Sequence, residues 1–434
     1  MPNPIEWTAA EKEAALNAVR IADTESRFGT EVESDQLVCI KKLGVIGGGT
    51  MGAGIAVAML NSGLSVRMVE RDGTAAEAGR ARVLDILKRD LKSGRIDETE
   101  YAAREAAFSA SEQYGDLNDI DLVIEAVYED MDVKREVFRQ VSEACSNDVI
   151  LATNTSYLNP ELVFEGVPSP ERCIGLHFFS PANIMKLVEI IPTRKTSENV
   201  VSSAFSLVRM CGKIPVQAGI CDGFIGNRIL KVMRTQAERV LLFGATPQVV
   251  DAALRKFGMK MGPFEVQDLA GLDIAAYQRT AARDRGEQVF APVSDQLVAM
   301  GRIGRKSGAG WYDYDGTDQR FKTPEAVLTS IDTARKEMGQ ASIDWTDGMI
   351  VEAIIFAMLN EAAQILDEGI ARSPRDIDLV EVYGYGFPKD RGGLAWFGTA
   401  YGLSEVAARL EYFNKLGVSE APSNALLKWA QAQS

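Results

Sequence analysis

"KKLGVIGGGTMGAGIAVAMLNSGLSVRMVERD", residues 41–72, opens on a short apolar run, Leu43 to Ile46, that reads as a buried strand. The run ends in Gly47, Gly49 and Gly52, spaced G-x-G-x-x-G, and passes into an apolar helix of Ala, Ile, Val and Met. A second apolar run, "SVRMVE", ends in Glu70, about 20 residues beyond the glycines. At this spacing each glycine has its own task. Gly47 makes the tight turn, Gly49 lets the backbone approach a pyrophosphate, and Gly52 lets the helix pack close on the strand. The helix N-terminus then offers free N–H groups to the anion. A lone G-x-G-x-x-G says little. Strand, helix and an acidic second strand together make the βαβ context of dinucleotide binding.

A carboxylate at the end of that second strand accepts hydrogen bonds from adenosine ribose hydroxyls and repels a 2′-phosphate, so Glu70 favours NAD over NADP. Arg67 and Arg71 stand near it in sequence and weaken the preference. The competing reading is a glycine-rich turn with no ligand.

Outward from this unit, further apolar runs occur at 121–127, 148–154, 173–179, 186–191 and 213–218, several of them separated by helical patterns such as "DMDVKREVFRQVSEAC". Strands alternating with helices predict an α/β domain with a sheet mainly parallel in its first part and ligands outside the strands' carboxyl ends. "ATNTSYL" and "LHFFSP" each put polar groups just past a strand, where chemistry on a nicotinamide would sit. "GLHFFSPANIMKLVEII", residues 175–191, holds the one histidine of the chain, His177, with Glu189 twelve positions later.

From about Asp222 onward the apolar period changes to 3.6 and strand signals fade. Two stretches there resemble each other, one from Gln236 and one from Glu361. Each has an amphipathic helix ending near a glycine (Gly244, Gly369), then a helix started by proline with an Asp four positions on (Pro247 and Asp251; Pro374 and Asp378). A Gly/Pro loop follows (Gly262 and Pro263; Phe387 and Pro388). The agreement predicts a duplicated helical domain. The expected boundaries are an N-terminal helical extension over 1–38, a nucleotide-binding domain over 39–218, helical domains over 219–320 and 346–434, and a linker over 321–345.

Composition narrows the function classes. With 46% hydrophobic and 25% charged residues over 434 positions, the chain reads as ordinary globular protein. A formal net charge of -14 repels phosphodiester backbones, so nucleic acid is not an expected partner, although a local basic cluster could grip a small phosphorylated ligand. The N-terminus is polar and acidic where a signal peptide needs a basic segment followed by an apolar one. No run approaches 18 apolar residues, so neither secretion nor a membrane span is expected and the chain reads as cytoplasmic. Five scattered cysteines with no CxxC pair read as buried reduced thiols. One histidine and no thiolate pair leave a metal site little to build on.

Six motifs in order, "GVIGGGTMGAGIA", "NTSYL", "GLHFFSPANIMKLVEII", "DGFIGNRIL", "GRIGRKSGAGWYDY" and "GYGFPKDRGG", resemble the (S)-3-hydroxyacyl-CoA dehydrogenase family, in particular the dehydrogenase portion of the multifunctional enzymes of fatty-acid β-oxidation. The likeness covers about residues 39–434 and implies a Rossmann-type NAD-binding domain followed by two all-α domains. The first 38 residues resemble the connecting helix of the multifunctional enzymes. With no hydratase domain, the expectation is a stand-alone dehydrogenase.

The resemblance also assigns roles. Oxidising a 3-hydroxyl needs a hydride acceptor at C3 and a base for the hydroxyl proton, and an imidazole with a pKa near 6.5 suits that exchange. In the family that base is the histidine of "HFF.P", here His177, oriented by the "VE" carboxylate, here Glu189. Ser156 would bond the substrate's 3-oxygen, and Asn227 would hold the substrate carbonyl or help fix the histidine; turn-capping is the competing role for both. Cofactor contacts carry over to Met51, Glu70, Glu129, Lys134 and Lys306 beside the glycines, with solvated surface charge as the alternative for the last three. Lys88, Arg89 and Lys92 are the cations near the family's CoA region. The family's usual Asn three residues after the histidine is Ser180 here, which is shorter and lacks an amide donor. Short members dimerise through a single helical domain; a second copy could cover that face internally, so a monomer is expected. The competing functions are a dehydrogenase of a free 3-hydroxy acid or sugar acid, and a non-catalytic nucleotide-binding relative.

Overall fold

The computed structural model describes residues 4–28, 37–314 and 322–433. Contacts divide the chain into two compact units. A sheet unit comprises Val19–Asn227 and Gly369–Tyr385; a helical unit comprises Met1–Ala18, Arg228–Glu368 and Gly386–Ser434. These are not the boundaries drawn from the sequence. Both helical copies contribute to one unit, and a stretch of the second copy groups with the sheet. Periodicity reveals which face of a helix is apolar, but not what will cover it.

After helix α1 (Ala9–Phe28), the sheet unit runs β1 (Lys42–Ile46), α2 (Thr50–Leu60), β2 (Ser65–Val69), α3 (Gly73–Lys92), α4 (Glu98–Ala106), β3 (Phe108–Ser111) and β4 (Leu122–Glu125). It continues through α5 (Met131–Ala144), β5 (Ile150–Thr153), α6 (Pro160–Val163), β6 (Cys173–Phe178), β7 (Leu187–Pro192), α7 (Glu198–Met210), β8 (Ile214–Gln217) and the start of α8 (Gly226–Leu242). The eight strands lie in the order β3-β2-β1-β4-β5-β6-β7-β8. The first six are parallel, β7 is antiparallel to β6, and β8 is parallel to β7.

Seven of the eight strands coincide with apolar runs in the sequence. The eighth, β3, carries one buried residue, Phe108, followed by Ser and Ala, and forms the short edge of the sheet. β4 and β5 are buried along their whole length because helices cover both faces of the sheet. Alternation sorts their side chains: Leu122, Ile124, Ile150 and Ala152 join one core, Val123 and Leu151 the other. Full burial of each such Leu, Ile or Val contributes roughly 1.5–3 kcal/mol. Strand order reverses between β1 and its neighbours β2 and β4, which opens a crevice at their carboxyl ends.

The helical unit contains α9 (Pro247–Phe257), α10 (Pro263–Ala270), α11 (Leu272–Asp284), α12 (Ser294–Ala299), α13 (Glu325–Met338) and α14 (Asp347–Asp367). The short α15 (Pro374–Val380) belongs to the sheet unit, and α16 (Leu394–Tyr401), α17 (Leu403–Lys415) and α18 (Asn424–Gln433) complete the helical one. Helix α14 packs against α9 of the first copy and against α16, α17 and α18 of the second. Phe257 of α9 meets Phe387 and Phe397 of the second copy edge-on at 5.6 and 5.2 Å, and the Arg391 guanidinium lies 5.0 Å over the Phe257 ring. Asp251, one of the two repeat-marking aspartates, is buried and accepts hydrogen bonds from the amides of Phe264 and Glu265 and from the Tyr312 hydroxyl. It thus caps α10, which begins at Pro263.

By length and composition α14 could cross a membrane; Glu352, Asn360 and Glu361 break its apolar runs and hide this from a count of consecutive residues. However, 78% of its most apolar window is buried within the structure, as in a core helix. The cysteines depart from the sequence reading of five buried thiols: Cys211 and Cys221 are only partly buried. Cys145 and Cys173 are buried, with burial pushing their thiols up to about 11 and about 12, but Cys39 is exposed.

Candidate active site

The glycine turn follows β1 directly. Gly47 has φ +97°, and a Cβ there would stand 2.8 Å from the carbonyl oxygen of Ala126. A Cβ on Gly52 would come within 1.8 Å of the Gly47 oxygen, so α2 can start this close to the turn only with glycine at that position. Above Gly49 there is open space, with no atom of the described residues within 4 Å of a Cβ built there, and no side chain caps α2 at this residue. Unsatisfied amides facing open space fit a phosphate.

Glu70, just past β2, accepts a hydrogen bond from the Gly48 amide at 2.6 Å, while Arg82 donates to the Gly48 oxygen at 2.9 Å. The carboxylate therefore holds the turn as well as facing the crevice. Neither neighbouring arginine cancels its charge: Arg67 bonds the Asp116 oxygen and Asp119, and Arg71 pairs with Asp72. Met51 is half-buried and packs on the sheet core. These residues fit a dinucleotide with a free ribose.

At the carboxyl ends of β4 and β5 stands a buried charge network. The Lys134 ammonium lies 2.6 Å from Glu125 and 3.3 Å from Glu129, and its side chain is only 1% exposed. Solvated surface charge is thus the wrong reading for Lys134. Glu125 also accepts from the Thr153 hydroxyl at 2.7 Å and the Val127 amide at 2.7 Å. Glu129 accepts from the Thr155 hydroxyl and from the amides of Ser156 and Tyr157. Burial opposes the charge of Glu129, but Lys134 and these donors outweigh it and hold the carboxyl below its usual range. The turn is capped by Thr155, whose oxygen takes the Leu158 amide at 2.8 Å. The Ser156 hydroxyl makes no hydrogen bond to a described residue and is half-buried.

The last constellation is built by strand register. In the antiparallel β6–β7 pair His177 lies directly opposite Glu189, and His177 Nδ1 is 2.7 Å from Glu189 Oε2. His177 is 4% exposed, with its ring 4.7 Å from Phe179 and 5.7 Å from Phe224. Glu189 is wholly buried, and its other oxygen accepts the amides of Ile225 and Gly226 at 3.1 Å each, at the start of α8. That start carries Asn227, which accepts a hydrogen bond from Tyr385 at 2.8 Å. The Phe178 amide donates to Asn154 at 2.8 Å and ties the end of β6 to the loop bearing Ser156. With Nδ1–H held by a carboxylate, Nε2 keeps the lone pair that a general base needs.

Residues 42–221 match the family model described as 3-hydroxyacyl-CoA dehydrogenase, NAD binding domain, and residues 223–314 and 348–431 match the model for that enzyme's C-terminal domain. The chain belongs to the 3-hydroxyacyl-CoA dehydrogenase family. The second model matches in two stretches, in keeping with the duplication read from the sequence. The peroxisomal bifunctional enzyme of Danio rerio is 39% identical over 389 residues, which are 86% of this chain and 54% of that protein. The chain spans about half the length of the first curated relatives it matches. Among solved structures, the 3-hydroxybutyryl-CoA dehydrogenase of Escherichia coli K12 superposes with a TM-score of 0.79 at 26% identity, covering 91% of this chain and 99% of that one. The (S)-3-hydroxybutyryl-CoA dehydrogenase of Ralstonia eutropha superposes at 0.60 with 34% identity, covering 64% and 100%.

Not every residue assigned by resemblance to this dehydrogenase family joins the constellation. Lys306 belongs to the helical unit, where it pairs with Asp273 at 2.6 Å. Lys88 and Lys92 lie exposed on α3. Ser180 is exposed just beyond β6, in a loop whose Ala182 and Met185 oxygens are both held by Lys213 at 2.6 Å; burial pushes that lysine down to about 8. Sequence reasoning missed Glu125, Asn154, Thr155 and Tyr385. An acid inside the apolar run "DLVIEAV" was a usable signal for Glu125, since a buried carboxylate demands a counterion. Tyr385 lies inside the motif "GYGFPKDRGG", but nothing local to it points to Asn227.

Proposed function

We propose that the chain oxidises (S)-3-hydroxyacyl-CoA thioesters to 3-oxoacyl-CoA, reversibly, with NAD as cofactor. The observation that carries this reading is the buried His177–Glu189 pair at 2.7 Å, with Nδ1 committed to the carboxylate and Nε2 left for substrate. NAD, when bound on the glycine turn, supplies the acceptor for the hydride leaving C3. His177 Nε2 takes the proton of the 3-hydroxyl as the carbonyl forms, and Glu189 orients the ring and stabilises the imidazolium. Two amides at the start of α8 hold the Glu189 carboxylate in place. Ser156 donates its uncommitted hydroxyl to the 3-oxygen, and Asn227 holds the substrate carbonyl. Glu129, Lys134, Ser180 and Lys306 are assigned to the cofactor on the resemblance, and Lys88 and Lys92 to the phosphates of CoA.

Packing of α9 on α14 joins the two copies and supports a monomer, to be checked by light scattering. A cytoplasmic address is proposed from composition; the Danio rerio relative is named peroxisomal, and fractionation separates the two. The deciding experiment is NADH oxidation with acetoacetyl-CoA, beside His177→Gln and beside free acetoacetate. Turnover of the thioester alone, lost in the variant, is expected. Turnover of the free acid would move the substrate class, and NADH binding without turnover of either would favour a non-catalytic role.

A further inference from the structure

Between the helix-starting proline and the first positive-φ glycine, the second helical copy is one residue longer than the first. In the first, α9 runs unbroken from Pro247, and Gly258 (φ +124°) turns the chain 11 positions later. In the second, the positive-φ glycine Gly386 (φ +75°) comes 12 positions after Pro374. A π-helical turn, Glu381–Tyr385, absorbs the extra residue. Such turns accommodate an insertion within a helix and recur at functional sites.

This turn belongs to the sheet unit and is packed tightly there. A Cβ on Gly384 would stand 2.8 Å from Leu187 of β7 and 3.3 Å from Phe179; one on Gly226 would stand 2.5 Å from the Tyr385 ring. Glycine at both positions lets Tyr385 reach the first turn of α8. Its ring meets Phe179 edge-on at 5.5 Å, and Phe179 flanks His177. Its hydroxyl donates to Asn227 Oδ1 at 2.8 Å.

An asparagine amide has a broad, roughly two-fold torsion, so nothing intrinsic decides which of its ends faces the substrate. A donor fixed on Oδ1 decides it, and the Nδ2 donors are turned the other way. We propose that Tyr385 is a positioning residue of the dehydrogenase reaction: it locks the Asn227 amide with Nδ2 presented to the carbonyl of the acyl thioester. The inference rests on the dehydrogenase reading above. It gives the second copy a part in the chemistry beyond covering an apolar face.

Tyr385→Phe keeps the ring against Phe179 and removes only the hydroxyl. Acetoacetyl-CoA turnover with NADH, acetoacetyl-CoA binding to the nucleotide-free protein, NADH binding and thermal stability are compared for the parent, Tyr385→Phe, Asn227→Ala, Asn227→Asp and Tyr385→Phe/Asn227→Ala. Tyr385→Phe is expected to lose roughly tenfold in kcat, the rate equivalent of about 1.4 kcal/mol, and to bind acetoacetyl-CoA more weakly with NADH affinity unchanged. It should cost nothing further once Asn227 is alanine, because two groups acting as one do not add. Asn227→Asp, which keeps Oδ1 and loses the Nδ2 donors, should be as impaired as Asn227→Ala. Full activity of Tyr385→Phe, additive losses, or an active Asn227→Asp would overturn the proposal while leaving the dehydrogenase reading in place. A parent that binds NADH but never turns over the thioester would remove both.

Discussion

Glu381→Gln should stabilise the protein at alkaline pH and leave it unchanged at acid pH. Glu381 opens the π-helical turn, is 1% exposed, and its Oε1 has no hydrogen-bond partner among the described residues. Burial, then Asp378 and Glu189, push its carboxyl from 4.5 up to about 8. In the unfolded chain the same group titrates near its ordinary value. Between the two, the folded chain keeps a proton that the unfolded chain has released, so stability is full below about 4.5 and falls as pH rises towards 8. At 1.36 kcal/mol per pH unit, the ceiling on that loss is about 5 kcal/mol; relaxation of the buried group reduces it, and about 2 kcal/mol is expected at pH 9. Glutamine has the shape of the protonated acid and cannot ionise. Urea unfolding followed by far-UV circular dichroism at pH 5, 7 and 9 measures the difference. All five tryptophans lie in stretches assigned to the helical unit, so their emission alone would report the wrong part. A variant whose advantage is the same at pH 5 and pH 9, or which is weaker at pH 9, would refute the reasoning.

Lys134→Met strips the counterion from Glu125 and Glu129 and should destabilise by roughly 3–5 kcal/mol in urea unfolding; adding Glu125→Gln should recover part of it, and no recovery would mean the lysine serves by packing alone. Gly49→Ala should leave the melting temperature unchanged and weaken NADH binding, since its methyl enters open space, whereas Gly52→Ala should lower the melting temperature because its methyl meets the Gly47 oxygen. Equal stability losses for the two would contradict the geometry of the turn. Glu70→Gln should raise the relative affinity for NADPH over NADH in fluorescence titrations, because the repelling charge is gone while the Gly48 bond remains possible; an unchanged ratio would assign Glu70 to the turn only.

The local grammar of this chain was readable from the residues. A buried run ending in spaced glycines, an acid closing the next run, and polar groups past strand ends are short-range patterns, set by backbone geometry within a few positions of one another. They led to β1, the turn, α2 and the doubly wound sheet, but not to β3, whose four residues hold one apolar side chain long enough to matter. The family motifs added roles for Ser156, His177, Glu189 and Asn227.

Partnership was another matter. His177 and Glu189 stand twelve apart in sequence, and only the antiparallel register of β6 on β7 sets them opposite each other. Lys134 sits on an amphipathic helix with acids around it and looks like a solvated charge, until the fold delivers Glu125 from the end of β4 beneath it. Tyr385 reaches Asn227 across 158 positions through a one-residue bulge. Periodicity and turn chemistry act over a few residues, so the sequence alone determined seven of the eight strands and the glycine turn. Which buried charge meets which, and which copy supports the catalytic groups, depends on contacts between distant segments, and only the tertiary structure decided that.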